Sequence, residues 1–285
     1  MRDVGIGGSL SPDRNTRAEL TASPCRAIPV GVVPPSHISR PPSRGELVRT
    51  WALAVGGLAL AKLVSLAEPT GLLAANLAGV AAFLFIALPD ARLRAREELW
   101  ADYGVPIHGV SDARTWRAFG RGALVALAVA AVVFPVFAAG FWGYAEVLPR
   151  LPAGLARVLA PYGGVPRLAP RLPDRLALLV LVQLLVVALP EEMFYRGWMQ
   201  TAWARAAPGR GVTVLGARLG AGFLWTQLLF AAGHLVVLQP WRLGTLFPGL
   251  LFGWLRERTG SVAAPVVLHA LSNVFIATLE ASFYG

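Results

Sequence analysis

The sequence predicts an all-α, polytopic membrane protein with about seven transmembrane helices, six to eight being the range. Three observations lead there. The 285 residues are 55% hydrophobic and only 15% charged, whereas an average soluble domain is about 25% charged and roughly 45–50% apolar. Several apolar runs approach or exceed the ~20 residues a helix needs to cross a bilayer. The formal charge of +10, which in a soluble chain would suggest nucleic-acid binding, sits mostly at the ends of those runs, as arginines in membrane loops do. Every basic residue except Lys62 is arginine, with no stripe of interleaved aromatics, so no nucleic-acid partner is expected.

The first 45 residues, rich in Gly, Ser, Pro and Arg, read as a disordered tail, and a membrane-embedded domain is expected over 46–285. The tail has no apolar run of the kind a cleavable signal peptide needs, so the first span is expected to act as the insertion signal. Cys25 is the single cysteine, which leaves no intrachain disulfide and no cysteine-based metal site. The first span is predicted over 47–66, starting at the interfacial Trp51, with Lys62 able to snorkel near one end. The turn at 68–71 separates it from a second span at 72–88. A polar stretch, 89–121, carries Arg92, Arg94, Arg96, Glu97 and Glu98 on an expected amphipathic helix. The third span, 122–148, holds Pro135, where a kink is expected, and ends near Trp142 and Tyr144. Residues 149–174 read as a loop with a short surface helix. The fourth span starts near 176 and runs through Pro190 to Arg196. The fifth is predicted over 212–238, a shorter sixth over 243–255 and the seventh over 262–279. With the N-terminus cytoplasmic, 19 arginines fall inside and six outside.

With so few charges, those inside helices stand out. A charge at a membrane-helix centre costs about 2.5–3.5 kcal/mol, so Glu191, Glu192 and Arg196 on one apolar helix cost of order 5–10 kcal/mol by the same scale. Glu192 and Arg196, four apart, share a face and can pair. Glu191 points about 100° away, without a partner on its own helix. A competing reading ends the helix at Pro190 and leaves these charges at the interface. His234 follows Phe230 and three small residues that would admit a close partner helix. His269 precedes Asn273 by one turn. Singly, each histidine reads as a packing residue; together, on three helices, these polar groups can satisfy one another only by converging.

Glu-Glu-x-x-x-Arg at 191–196, Phe-x-x-x-His at 230–234 and His-x-x-x-Asn at 269–273 follow one another on successive hydrophobic segments. This set resembles the CPBP (CAAX protease and bacteriocin-processing, or Abi) family of intramembrane proteases, whose eukaryotic member is the type II CAAX prenyl endopeptidase. The similarity covers about 175–281. It implies a glutamate-dependent endopeptidase in the cytoplasmic (inner) membrane, cutting a membrane-tethered protein or peptide as a CAAX-type or C-terminal sorting or maturation protease.

Peptide hydrolysis needs an activated water, donors for the oxyanion and a proton for the leaving amine. Desolvation strengthens a carboxylate as a base, which makes Glu191 the candidate, with His234 holding the water from the other side. His269 and Asn273 offer N–H groups on one face for the oxyanion, while Glu192, Arg196 and Phe230 support the site. No cofactor is expected. The alternative is a zinc enzyme with Glu191, His234 and His269 as ligands around an open position. Readings from other classes are a non-catalytic membrane scaffold or bacteriocin-immunity protein on the same fold, and a proton-coupled transporter.

Overall fold

The structure, a computed structural model, describes residues 41–159, 162, 164–237 and 239–285. Nearly all of the expected tail, with Cys25, lies outside these residues. Helix α1 (Arg44–Ala67) is capped by Ser43, whose hydroxyl accepts the Glu46 N–H at 3.2 Å, satisfying one of the free donors of the first turn. A single turn, α2 (Leu72–Ala75), leads into α3 (Leu77–Arg94). This helix continues through Pro89, so the amphipathic helix expected around 92–98 is in fact its last turn. Arg92 and Arg94 sit at its C-terminal end, where cations suit the helix dipole.

Helix α4 (Ala113–Val147) is 35 residues long and runs unbroken through Pro135. It starts nine residues before the expected span because Asp112 caps it, accepting the Arg114 N–H at 2.8 Å. Helix α5 (Ala153–Leu159) is the short surface helix expected in the following loop. Helix α6 (Leu176–Ala206) then spans 31 residues. Pro190 does not end it. Two π-helical stretches, Gln183–Ala188 and Met193–Met199, flank the turn that holds the proline. A π turn widens the ladder, which accommodates a residue with no N–H and a ring crowding the preceding carbonyl.

Residues 212–219 form a hairpin instead of the start of a fifth span. Strand β1 (Val212–Val214) pairs antiparallel with β2 (Ala217–Leu219), Thr213 opposite Arg218. The two-residue turn has positive φ at both Leu215 (47°) and Gly216 (81°), the primed-turn geometry that matches strand twist. Glycines at 209, 211, 216 and 220 deny a helix here, so the next one, α7 (Ala221–Gly233), begins at Ala221. Helices α8 (Leu246–Thr259) and α9 (Ala263–Tyr284) complete the chain.

Four helical segments are long and apolar enough to cross a membrane: Arg44–Ala67, Ala113–Arg150, Leu176–Ala206 and Ala263–Tyr284. Of their most apolar windows only 17–33% is buried within the protein, and side chains such as Leu63, Leu124, Val132 and Val136 are exposed. Apolar surface on that scale needs a covering, which lipid supplies. The described chain is thus helical apart from one hairpin, with four candidate spans where the sequence suggests about seven.

The largest core cluster gathers Leu47, Ala54, Phe85, Phe194, Tyr195, Trp198 and Phe230, so α1 and α3 pack against the part of α6 that carries the charges. On the other side α4 lies against α9, where Gly122 allows close approach: a methyl there would come within 2.7 Å of the Ala263 backbone. Overpacking costs about 1–3 kcal/mol, so Gly122→Val is expected to lower the unfolding temperature in detergent by several degrees. An unchanged midpoint would contradict this contact.

Candidate functional site

Helix α6 brings both glutamates to one imidazole. Glu192 Oε1 lies 2.7 Å from His269 Nδ1, and Glu191 Oε2 lies 3.9 Å from His269 Nε2. An ideal α-helix would splay the two carboxylates by about 100°; here the ring of His269, entering from α9, stands between them with one nitrogen toward each. The charges are therefore not at an interface beyond a helix that stops at Pro190. Glu192 and Arg196 are completely buried, and the Glu191 side chain is only 18% exposed.

Arg196 is the hub beneath this pair. Its Nη1 donates to Glu192 Oε1 at 3.1 Å, and its Nη2 donates to Gln227 Oε1 at 3.0 Å and to the Gly249 carbonyl at 3.2 Å. The guanidinium also lies 4.0 Å from the centre of the Phe230 ring, a cation–π contact in a dry setting. Phe230 in turn meets His234 edge-on, with ring centres 4.6 Å apart, and Phe252 stacks on His269 at 4.8 Å. Two aromatic rings thus hold the two imidazoles.

Hydrogen bonds indicate the tautomers. Glu192, already paired with Arg196, accepts from His269, so His269 Nδ1 carries hydrogen and Nε2 is the atom left to face Glu191. His234 Nδ1 lies 2.9 Å from the Phe230 carbonyl, an acceptor only, so Nδ1 donates and Nε2 presents a lone pair. Glu191 is an electrostatic neighbour of His234. Asn273 Nδ2 donates to Gln183 Oε1 at 2.8 Å, which leaves one amide hydrogen free. Glu191 Oε2 is buried without a hydrogen-bond partner, an unusual state for a carboxylate oxygen.

The sequence-derived residues Glu191, Glu192, Arg196, Phe230, His234 and His269 are joined by these contacts, and Asn273 sits one turn along from His269. Sequence reasoning missed the amides. Gln183 anchors Asn273, and Gln227, 1% exposed, anchors Arg196. Gln227 lies three residues before Phe230 on an apolar helix, so it was visible by the logic applied to the charges. Gly249 and Gly253, four apart on α8, allow a close approach to this network: a methyl on Gly249 would meet Gln227 Oε1 at 2.9 Å and Arg196 Nη2 at 3.2 Å. Leaving a buried partner unsatisfied costs about 1–3 kcal/mol. Gln227→Leu is therefore expected to lower thermal stability measurably and to reduce activity, whereas equal stability would remove Gln227 from the network.

Among the described residues no three His, Cys, Asp or Glu side chains are gathered as ligands of one ion. His269 directs Nδ1 to Glu192.

No curated protein and no solved structure gave a match to the chain. A family model described as type II CAAX prenyl endopeptidase Rce1-like matches residues 173–275. That segment contains all three motifs, from Glu191 to Asn273. Its four apolar helices of spanning length make this a multi-pass membrane protein, and its residues 173–275 are similar to the Rce1-like type II CAAX prenyl endopeptidases.

Proposed function

We propose that the protein is a metal-free, glutamate-dependent intramembrane endopeptidase acting on membrane-tethered proteins or peptides. The observation that carries this reading is the unpartnered, buried Glu191 Oε2 facing His269 across 3.9 Å. Glu191 Oε2 is thus free to accept a hydrogen bond from a water. The substrate carbonyl carbon is attacked by this water while Glu191 takes its proton. His234 Nε2 supplies a second acceptor that orients the water. The developing oxyanion meets His269 Nε2–H and the free amide hydrogen of Asn273. Because His269 Nδ1–H is committed to Glu192, donation from Nε2 uses the imidazolium, whose charge the two flanking carboxylates offset. The proton held by Glu191 then passes to the leaving amine, which completes hydrolysis.

Lateral access explains the preference for a tethered substrate, since a site among lipid-covered helices is reached most easily along the bilayer. In this reading α3 also crosses the membrane. Helices α7 and α8, each about 20 Å long at 1.5 Å per residue, are shorter than the ~30 Å hydrocarbon core and enter as a pair, giving seven embedded helices. The arginine distribution supports an N-terminus in the cytoplasm and a place in the inner membrane.

Cells lacking the gene, complemented with wild type or with Glu191→Ala, test the function directly. Comparison of their membrane proteomes is expected to reveal a tethered protein that is shortened only by the wild type. If Glu191→Ala restores both the phenotype and the proteome, the scaffold reading replaces this one. His269→Ala and Asn273→Ala are each expected to slow cleavage of that substrate by about 10²–10³-fold, the usual loss for an oxyanion donor. A loss of less than tenfold for both would remove them from that role.

A further inference from the structure

The first helix reaches the site. Trp51 of α1 donates its indole Nε1–H to the Leu229 carbonyl at 3.1 Å, on the last full turn of α7. At that end the His234 backbone N–H turns to the carbonyls of Ala231 and Ala232, so the Phe230 carbonyl is left to the His234 side chain, whose Nδ1 lies 2.9 Å away. Carbonyls at a helix C-terminus lack helical donors and need others. Here the Phe230 carbonyl faces the His234 side chain, while the Leu229 carbonyl just before it also accepts from Trp51.

The same turn is clamped from below. A methyl on Gly233 would lie 2.8 Å from the Tyr195 hydroxyl, 3.5 Å from Val55 and 3.8 Å from Trp51 Nε1, so α1 and α6 both press on the residue before His234. Tyr195 itself packs edge-on against Phe230 with ring centres 5.0 Å apart.

We propose that Trp51 is a positioning residue for His234. Its N–H and ring fix the turn from Leu229 to Gly233 over Tyr195, which keeps the His234 Nδ1–H on the Phe230 carbonyl and its Nε2 lone pair free for the site. A residue outside the 173–275 family segment therefore sets the tautomer of a site histidine. The catalytic consequence rests on the proposed endopeptidase mechanism, while the tautomer does not.

The test uses the full chain in lipid nanodiscs, labelled with ¹⁵N in its four histidines, with the His234 signals assigned by their loss in His234→Asn. Wild type is expected to show a protonated Nδ1 and a bare Nε2 at His234; a proton on Nε2 instead overturns the proposal without any further variant. Trp51→Phe, which removes the N–H and keeps a ring, is expected to mix the two tautomers. It should also lower kcat on the substrate identified above by about tenfold, the scale of outer-sphere orienting groups, with little change in KM. Val55→Ala, which trims packing but no hydrogen bond, is expected to keep the wild-type signature. A Trp51→Phe protein with unaltered His234 signals contradicts the proposal. Because the spectra need no substrate, a failure of the clamp is distinguishable from a failure of the proteolytic reading.

Discussion

Arg196→Leu will yield little folded protein. Removing one partner of a fully buried ion pair costs about 3–5 kcal/mol, a large part of the roughly 5–15 kcal/mol that holds a typical domain together. The variant strands Glu192, which keeps only His269 as a donor, and it leaves the Gly249 carbonyl and Gln227 Oε1 without the guanidinium that serves them. Thermal unfolding in detergent is expected to show a midpoint lower by ten degrees or more, or no monodisperse protein at all. Glu192→Gln combined with Arg196→Met removes both charges together and is expected to be more stable than Arg196→Leu, as paired replacements of buried ions often are. It is nevertheless expected to be poorly active, because His269 loses the carboxylate that orients it. A wild-type midpoint for Arg196→Leu would show that the pair is not a structural hub.

Glu191→Gln behaves in the opposite way. The substitution preserves shape, and Glu191 has no ion pair closer than the 3.9 Å approach to His269, so the folded protein is expected in normal yield with an unfolding midpoint at or above that of wild type. Activity is expected to fall by about 10²–10⁴-fold, the usual contribution of a positioned general base. The loss should appear in kcat with KM little changed, since the carboxylate acts in the transition state and not in holding the substrate. The contrast between neighbours follows from the geometry: Glu192 is bonded through Oε1 to both Arg196 and His269, whereas Glu191 comes no closer to a charged partner than 3.9 Å.

Much of this was legible because charges are rare in the chain. In an apolar background, Glu191, Glu192, Arg196, His234, His269 and Asn273 are conspicuous, and the requirement that buried polar groups find partners predicts that they converge. Three things were not legible. Residue spacing suggested that Glu191 and Glu192 diverge, because a 3.6-residue period does not foresee the π turns around Pro190 that accompany their convergence on His269. The apolar run from 212 hid a hairpin, since Val and Thr serve strands as readily as buried helices and the decision lay with the surrounding glycines. The partners of Gln183 and Gln227 and the close approach at Gly249 depend on which helices become neighbours, and no local pattern in the sequence encodes that, although Gln227 itself stands out on an apolar helix. The span count suffered similarly: α7 and α8 are apolar, yet a hairpin, two glycine-limited ends and a one-turn gap shorten them.

The central claim is that Glu191 activates water without a metal ion. The most direct measurement compares purified wild type and Glu191→Gln in liposomes, before and after a membrane-permeant chelator, with metal content determined on the same samples. Cleavage is followed by the mass of the released fragment. The account predicts that wild type keeps its full rate when stripped of metal, and that Glu191→Gln stays inactive whether or not zinc is added. Loss of wild-type cleavage on chelation with recovery on adding zinc would contradict it, as would a full rate from Glu191→Gln.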